Sequence, residues 1–170
     1  MDITQLIIDD HAEQRRLFTL LQEIPAKDTG ALDAVWKRLG ALLDTHAEAE
    51  ERFFYPELLK LGKGAADADS AADETEDAIK DHNKIRDAGA AVAKCTVGTK
   101  EWFAAVDKAN EENGDHLAEE ERQGLADFRK NAPLDLRQRL AVQFAEFSAV
   151  NLLGVKPVDK DPDAYIKRNS

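Results

Sequence analysis

The chain has 170 residues, the size of one domain, and 43% of them are hydrophobic, as in ordinary folded proteins. Its 23 basic and 34 acidic residues give a net charge of −11, which disfavours nucleic acids and anionic membranes as partners. No apolar run approaches the roughly 18 residues of a membrane span. We find no signal-peptide pattern, and the single cysteine, Cys95, excludes an internal disulfide, so we expect a cytoplasmic protein.

Apolar positions recur at intervals of three and four along most of the chain, which predicts an all-α fold. A first helix covers about residues 4–23 and stops before Pro25. A second covers about residues 31–61, and Pro56 predicts a kink or break inside it. Residues 62–73 contain no large apolar side chain, so we predict a flexible linker there.

The second half of the chain repeats this arrangement. A third helix covers about residues 74–96, and Thr99 is a candidate N-cap for a fourth helix over about residues 100–130. Pro133 opens a fifth helix at about residues 134–152. The first four helices predict an antiparallel, up-and-down four-helix bundle built from two similar hairpins.

The fifth helix is additional to this bundle, and together they predict one domain over residues 1–154. One stripe of the fifth helix is apolar, so this helix either pads the bundle or forms a homodimer contact. Residues 155–170 show no periodicity and contain two prolines, which predicts an irregular tail. The apolar stripe consists of Leu136, Leu140, Phe144 and Phe147.

An internal repeat carries every histidine of the chain. The pattern D-H-x-x-x-R occurs at residues 10–15 and 81–86, and the pattern H-x-x-x-E-E-R occurs at residues 46–52 and 116–122. The two copies are 70 or 71 residues apart, so one helical hairpin is used twice. At about 1.5 Å per residue, the four histidines fall at one level of an antiparallel bundle.

Three of the four histidines share a helix face with apolar residues, and two glutamates one turn further on share those inner faces. Glu51 and Glu121, one position later, are expected to face outward. Burying so many polar groups is costly unless metal ions neutralise the carboxylates and bind the imidazoles; a polar core network without metal is the alternative. Imidazole and carboxylate without thiolate favour iron, with manganese or zinc less suitable. The predicted metal ligands are His11, His46, Glu50, His82, His116 and Glu120.

At these residues the chain resembles the hemerythrin-like, or HHE cation-binding, family. The matching segments are D-H-x-x-x-R-R-L-F at 10–18, H-x-x-x-E-E-x-F-F-Y-P at 46–56, D-H at 81–82 and H-x-x-x-E-E at 116–121. The resemblance implies two iron ions in a four-helix bundle, a bridging oxo or hydroxo group, and binding of O2 or a related small oxidant. It implies the same six ligands. The ferritin-like di-iron carboxylate proteins use Glu-x-x-His pairs, and none of the four histidines has a glutamate at that position.

The chain departs from the oxygen-carrying hemerythrins at one position. Those proteins have a second histidine on the third helix, where this chain has Arg86, which is no neutral ligand. The site is therefore expected to have one histidine fewer and more room for solvent or substrate. Arg15 and Arg86 each follow a ligand histidine by one turn, and we expect each to hydrogen-bond a ligand glutamate or bound peroxide; surface ion pairing is the alternative. Tyr55 is expected to pack rather than to act as a ligand.

Three functions remain open at this stage. The first is a di-iron protein that binds O2 or related small oxidants for storage, delivery or sensing, and we favour it. The second is a di-iron enzyme acting on peroxide, O2 or nitric oxide, either catalase-like or a reductase. The third is iron sensing or sequestration.

Overall fold

The computed structural model describes residues 1–170 and contains eight α-helices, one π-helical segment and no strand. This confirms the all-α prediction. No helix combines the length and the apolar content needed to cross a membrane. In chain order the elements are α1 (Ile3–Glu23), α2 (Thr29–Ala49), a π segment (Glu50–Phe54), α3 (Tyr55–Leu61), α4 (Ala71–Val92), α5 (Lys100–Arg122), α6 (Gly124–Asn131), α7 (Leu134–Val150) and α8 (Pro162–Asn169).

The four long helices α1, α2, α4 and α5 form the predicted bundle. Helices α1 and α2 pack together as one hairpin, α4 and α5 as the other, and α1 also packs on α5. Side chains cap the helix starts: the Thr99 hydroxyl accepts the Trp102 backbone N–H at 3.2 Å, which confirms Thr99 as an N-cap.

Two of the predicted helices are interrupted. The second contains the π segment just before Pro56, whose missing N–H and bulky ring disturb the preceding turn. A π turn closes over five residues instead of four and accommodates the proline. The predicted fourth helix breaks at Gln123, where φ is −103° and ψ is −91°, and continues as α6.

The apolar core is divided into two clusters. In α1, Ile3 and Ile7 belong to the first cluster and Leu17 and Leu21 to the second. His11 lies between these two pairs of residues, and it is fully buried. The antiparallel helices therefore leave one polar layer between two apolar clusters.

Helix α7 covers the first hairpin, in agreement with the predicted fifth helix. It packs on α1, α2 and the π segment, with Leu140 and Phe144 buried and Phe147 partly buried. The ring centroid of Phe144 lies 6.0 Å from that of His46, so α7 reaches the polar layer. Its outer face leaves Val142 exposed, and the homodimer contact through this helix stays a prediction.

The prediction of an irregular tail is wrong for its second half. Residues 162–169 form α8, which packs on α4 and buries Tyr165. Asp161 caps the helix by accepting the Ala164 N–H at 2.8 Å, and Pro162 occupies the first turn. This Asp-Pro start was the missed signal, because two turns are too short to show periodicity.

Residues 62–73, predicted to be a flexible linker, are bonded to the bundle by two buried carboxylates. Asp127 Oδ2 accepts two backbone N–H groups and Glu74 Oε1 accepts a third, all from residues 63–65, over distances of 2.6 to 2.9 Å. Gly64 has a φ of +87°, which favours glycine. The linker prediction failed because backbone groups can hold a segment that has no large side chain.

Glu74 makes this attachment sensitive to pH. Burial and the negative charge of Asp127 raise the pKa of Glu74 to about 7, from an ordinary value of 4.5. The folded chain therefore holds this proton more tightly than the unfolded chain between those two pH values. The stabilisation is present in full below about pH 4.5 and is lost as the pH rises to about 7.

We expect Glu74→Gln, which mimics the protonated side chain, to raise the melting temperature at pH 8 and to change it little at pH 5. Solvent screens part of the repulsion, so we expect ~1 kcal/mol, or about 2–4 °C for a chain of this size. Calorimetry at the two pH values measures the difference. The control Glu76→Gln, which alters a partly exposed side chain on the same helix, should shift both temperatures equally. An equal shift for Glu74→Gln would contradict the prediction.

Candidate metal centre

The structure brings all six predicted ligands into the polar layer. His11 comes from α1, His46 from the end of α2, Glu50 from the first position of the π segment and His82 from α4. Helix α5 supplies the other histidine and the other glutamate. All six side chains are buried: His11, His46, Glu50, His82, His116 and Glu120.

These residues form two groups in which the candidate ligand atoms lie within 4.8 Å of one another. The two groups share one glutamate, Glu50. The first group has four members and the second has three, so the two halves of the layer are unequal. The first group consists of His11, His46, Glu50 and Glu120, and the second of Glu50, His82 and His116.

The Nε2 atoms of the histidines face the interior of the layer. His46 Nε2 lies 3.0 Å from Glu50 Oε1, and His82 Nε2 lies 3.3 Å from Glu50 Oε2. His11 Nε2 lies 3.2 Å from Glu120 Oε2. The Nε2 atoms of His82 and His116 are 3.2 Å apart. Each oxygen of Glu50 therefore faces an imidazole from a different helical hairpin.

The Nδ1 atoms face a second ring of carboxylates. His11 Nδ1 lies 2.9 Å from Glu121 Oε1, and His46 Nδ1 lies 3.1 Å from Asp10 Oδ2. His82 Nδ1 lies 2.7 Å from Glu51 Oε1, and His116 Nδ1 lies 3.9 Å from Asp81 Oδ2. An imidazole that donates through Nδ1 keeps a lone pair on Nε2, the arrangement by which histidines bind metals.

The repeat contained the signal for this carboxylate ring. Each aspartate precedes a ligand histidine of one helix and lies beside the histidine of the next helix in the same hairpin. Glu51 and Glu121 follow a ligand glutamate and pair with a histidine of the other hairpin. The repeated D-H and E-E dipeptides thus specify both rings, although sequence reasoning assigned only one residue of each pair.

The prediction that Glu51 and Glu121 face outward is wrong. Glu51 is buried in the π segment, where each residue advances less around the axis than on an α-helical wheel. Glu121 lies on regular α-helix and is only partly exposed, because its flank borders α1, where His11 bonds to it. A position about 140° from the inner face belongs to an interhelical interface in a bundle.

The two arginines contact this second ring rather than the ligand glutamates. Arg86 Nη2 donates to Glu51 Oε1 at 2.8 Å, and Arg15 Nη1 lies 2.9 Å from Glu121 Oε1. The Arg86 side chain is buried, whereas that of Arg15 is 48% exposed. Both arginines therefore support a carboxylate that in turn holds a histidine.

Tyr55 packs in the core as predicted and also reaches the layer, which the sequence did not reveal. Its hydroxyl donates to Glu120 Oε1 at 2.5 Å, whereas Glu120 Oε2 lies 3.2 Å from His11 Nε2. Burial and the charge of Glu120 raise the pKa of Tyr55 well above its ordinary value, which keeps the hydroxyl protonated. The π segment explains this additional contact, because it turns Tyr55 inward.

Burial and neighbouring charges set the protonation of the imidazoles. Burial disfavours the charged form of His82, but the nearby carboxylates of Glu50 and Glu51 outweigh it and raise the pKa of His82 to about 9. Burial, together with the charge of His82, lowers the pKa of His116 well below its ordinary value. A cation bound by these residues would require His82 to be deprotonated, because metal ligands are deprotonated.

The donor set fits metal cations. Buried polar atoms normally have hydrogen-bond partners, and five buried atoms of this layer have none. Nitrogen and oxygen donors that converge at short range, without thiolate, suit iron, manganese or zinc. The five atoms are His11 Nε2, His46 Nε2, both carboxylate oxygens of Glu50, and Glu120 Oε2.

A small cavity lies beside the layer. Its volume is about 10 Å³, and Tyr55, His116 and Glu120 form part of its wall. That volume accommodates about one water molecule. Asp81 and Glu119 line both this cavity and a groove at the surface, so the cavity lies close to solvent.

The comparisons with known proteins agree with this geometry. The hemerythrin HHE cation binding domain family matches residues 2–126, which include all six candidate ligands. The match covers most of the chain, so the chain belongs to this family. Comparison with curated proteins and with solved structures found no match.

We expect divalent metal to stabilise the fold through Glu50, the residue common to both groups. Free metal at 100 times its dissociation constant adds about 2.7 kcal/mol per site, or about 5–10 °C in melting temperature. Scanning calorimetry with Fe(II) under argon measures the shift. Glu50→Gln should lose most of it, and Glu23→Gln, on the exposed end of α1, should keep it. Identical melting of the metal-loaded and metal-depleted protein would refute the site.

Proposed function

We propose that this member of the hemerythrin HHE family is a non-haem di-iron protein that binds O2 or a related small oxidant. The observation that carries the proposal is the pair of ligand groups that share Glu50. A bridging carboxylate between two sets of imidazoles suits two cations about 3.5–4 Å apart. The proposed ligands are His11, His46, Glu50, His82, His116 and Glu120.

Iron bound at these residues would supply exchangeable electrons and open coordination positions for the small molecule. The group containing His82 and His116 has three donors, one fewer than the other group. We therefore expect its ion to be the one that exchanges a ligand. The cavity of about 10 Å³ next to His116 favours a molecule of two or three atoms over an organic substrate.

The chain's own residues would control water and protons at this site. The two apolar clusters exclude bulk water from both sides of the layer. Tyr55 lines the small cavity, and its protonated hydroxyl is held on Glu120 as a donor. Gln14 lies one turn beyond His11 and is fully buried, with no protein partner for its amide, which suits a hydrogen bond to a small bound molecule.

The second candidate is an enzyme that consumes peroxide, O2 or nitric oxide. It is favoured by Arg86, which stands where oxygen carriers have another histidine and which bonds to Glu51 instead. With one ligand fewer, the ion near His82 keeps more room for a reacting molecule. The alternative of iron sensing or sequestration has no comparable observation in its favour. The expected cytoplasmic location rests on the single cysteine and stays a prediction.

Elemental analysis should find about two irons per chain, and the ferrous protein should bind O2 and release it under vacuum. Optical spectra recorded through repeated cycles measure the binding. Glu50→Gln should lose both iron and the spectral change, whereas Glu23→Gln should retain them. One ion or none per chain would exclude the di-iron assignment.

Irreversible oxidation within one exposure would exclude a carrier and favour the enzyme. Steady evolution of O2 from peroxide, or steady consumption of nitric oxide with a reductant, would then identify the reaction. An electrode assay with wild type and Glu50→Gln distinguishes turnover at this site from free iron. Absence of turnover with all three molecules would remove the enzyme candidate.

A further inference from the structure

We propose that the C-terminal segment, residues 155–170, supports the metal centre and that Lys160 is a positioning residue for His82. The segment lies outside the matched family region, which ends at residue 126. The inference deepens the proposed function, because it assumes that His82 binds an ion. The segment would determine how firmly the ligand group that contains His82 is held.

Lys160 completes the environment of the Glu51 carboxylate. Its ammonium donates to Glu51 Oε2, and also to Glu48 Oε2 at 2.8 Å. The other oxygen of Glu51 faces His82 Nδ1 at 2.7 Å and Arg86 Nη2 at 2.8 Å. The Glu51 carboxylate is thus fixed at both oxygens, and one of them fixes His82.

Further contacts from the segment hold Lys160 at this position. Asn83, the residue after His82, donates through Nδ2 to the Lys160 carbonyl at 2.8 Å and accepts the Lys160 N–H at 3.1 Å. The Tyr165 hydroxyl donates to the Glu51 carbonyl at 2.5 Å. The segment therefore bonds both to α4, next to His82, and to the backbone of Glu51.

The other half of the repeat provides an internal comparison. Glu121 holds His11 as Glu51 holds His82, and Arg15 corresponds to Arg86. No lysine contacts Glu121, and its side chain is 33% exposed, whereas that of Glu51 is 0% exposed. Contacts from the C-terminal segment, together with the π segment and the buried Arg86, distinguish Glu51 from Glu121.

The support falls on the ligand group that needs it most. The group with His82 has three donors, so each donor's orientation matters more there than in the group of four. A carboxylate that holds the Nδ1–H of a ligand histidine fixes its ring and tautomer, and loss of such a partner typically weakens metal binding 10–100-fold. Lys160 acts through Glu51, so we expect a loss at the lower end of that range.

The test is anaerobic titration of the metal-depleted full chain with Co(II), followed by its visible absorption bands. The wild type should take up two ions. Lys160→Met should bind one of them about 10-fold more weakly and leave the other unchanged. Lys160→Arg should restore most of the affinity, because it keeps a cation next to Glu51. The matched control Lys167→Met changes an exposed lysine on α8 and should behave as wild type.

A second measurement distinguishes positioning from general destabilisation. In the Zn(II)-loaded protein, Lys160→Met should move the ring ¹⁵N resonances of His82 and leave those of His11 in place. Asn83→Ala removes both hydrogen bonds to the Lys160 backbone, and one from Arg86 Nη1, and should give a smaller loss at the same ion. Equal weakening of both ions, or unchanged binding of both, would overturn the role of Lys160 while leaving the di-iron proposal intact. A wild type that binds no Co(II) would overturn both.

Discussion

The structure depends on the burial of Glu50, a carboxylate that lies between two apolar clusters with neither oxygen bonded to a donor in the chain. An isolated buried charge costs several kcal/mol, so the surroundings of Glu50 must supply compensation. Imidazoles from two hairpins face its two oxygens. The Nδ1 atom of each imidazole contacts a further carboxylate, Asp10 or Glu51. Of these two outer carboxylates, that of Asp10 is partly exposed and that of Glu51 is buried. A cation in the layer would supply the missing positive charge, and the fold brings candidate donors to that level from both hairpins.

Much of this arrangement is written in the sequence because it repeats. Periodicity located the long helices to within a few residues, and the repeated D-H and E-E dipeptides located the ligand level. The two contacts missed at Glu51 and Tyr55 share one physical origin. A helical wheel assumes a constant rotation per residue, and the π segment at Glu50–Phe54 breaks that assumption immediately after a ligand. Glu51 and Tyr55 therefore face the site although the wheel places them away from it. Pro56 predicted a kink or break in this helix, but it did not show that the helix would widen into a π turn.

The C-terminal segment was beyond prediction for a different reason. Its contacts join residues 77 to 114 positions apart, and no local pattern encodes such pairings. Lys160 is one of three lysines in this polar segment, and only the folded chain shows that it faces a buried carboxylate. The Asp161–Pro162 start of α8 was recognisable, but recognition of a helix does not reveal where it docks. Docking depends on the groove beside α4, which exists only once both hairpins have assembled.

Two similar hairpins have produced an unequal site, and the inequality arises outside the repeated residues. Tyr55 bonds to one oxygen of Glu120, and Glu120 belongs to a single ligand group, while Glu50 belongs to both. Lys160 donates to Glu51, whose side chain is buried, while that of Glu121 stays partly exposed. In a di-iron protein these differences separate the roles of the two ions. The ion with four protein donors would be held mainly by the chain, and the ion near His82 and His116 would keep positions for an exchanging molecule. A firm second ring around His82 is then needed, because an ion that changes its small-molecule ligand must not lose its protein ligands when it does so.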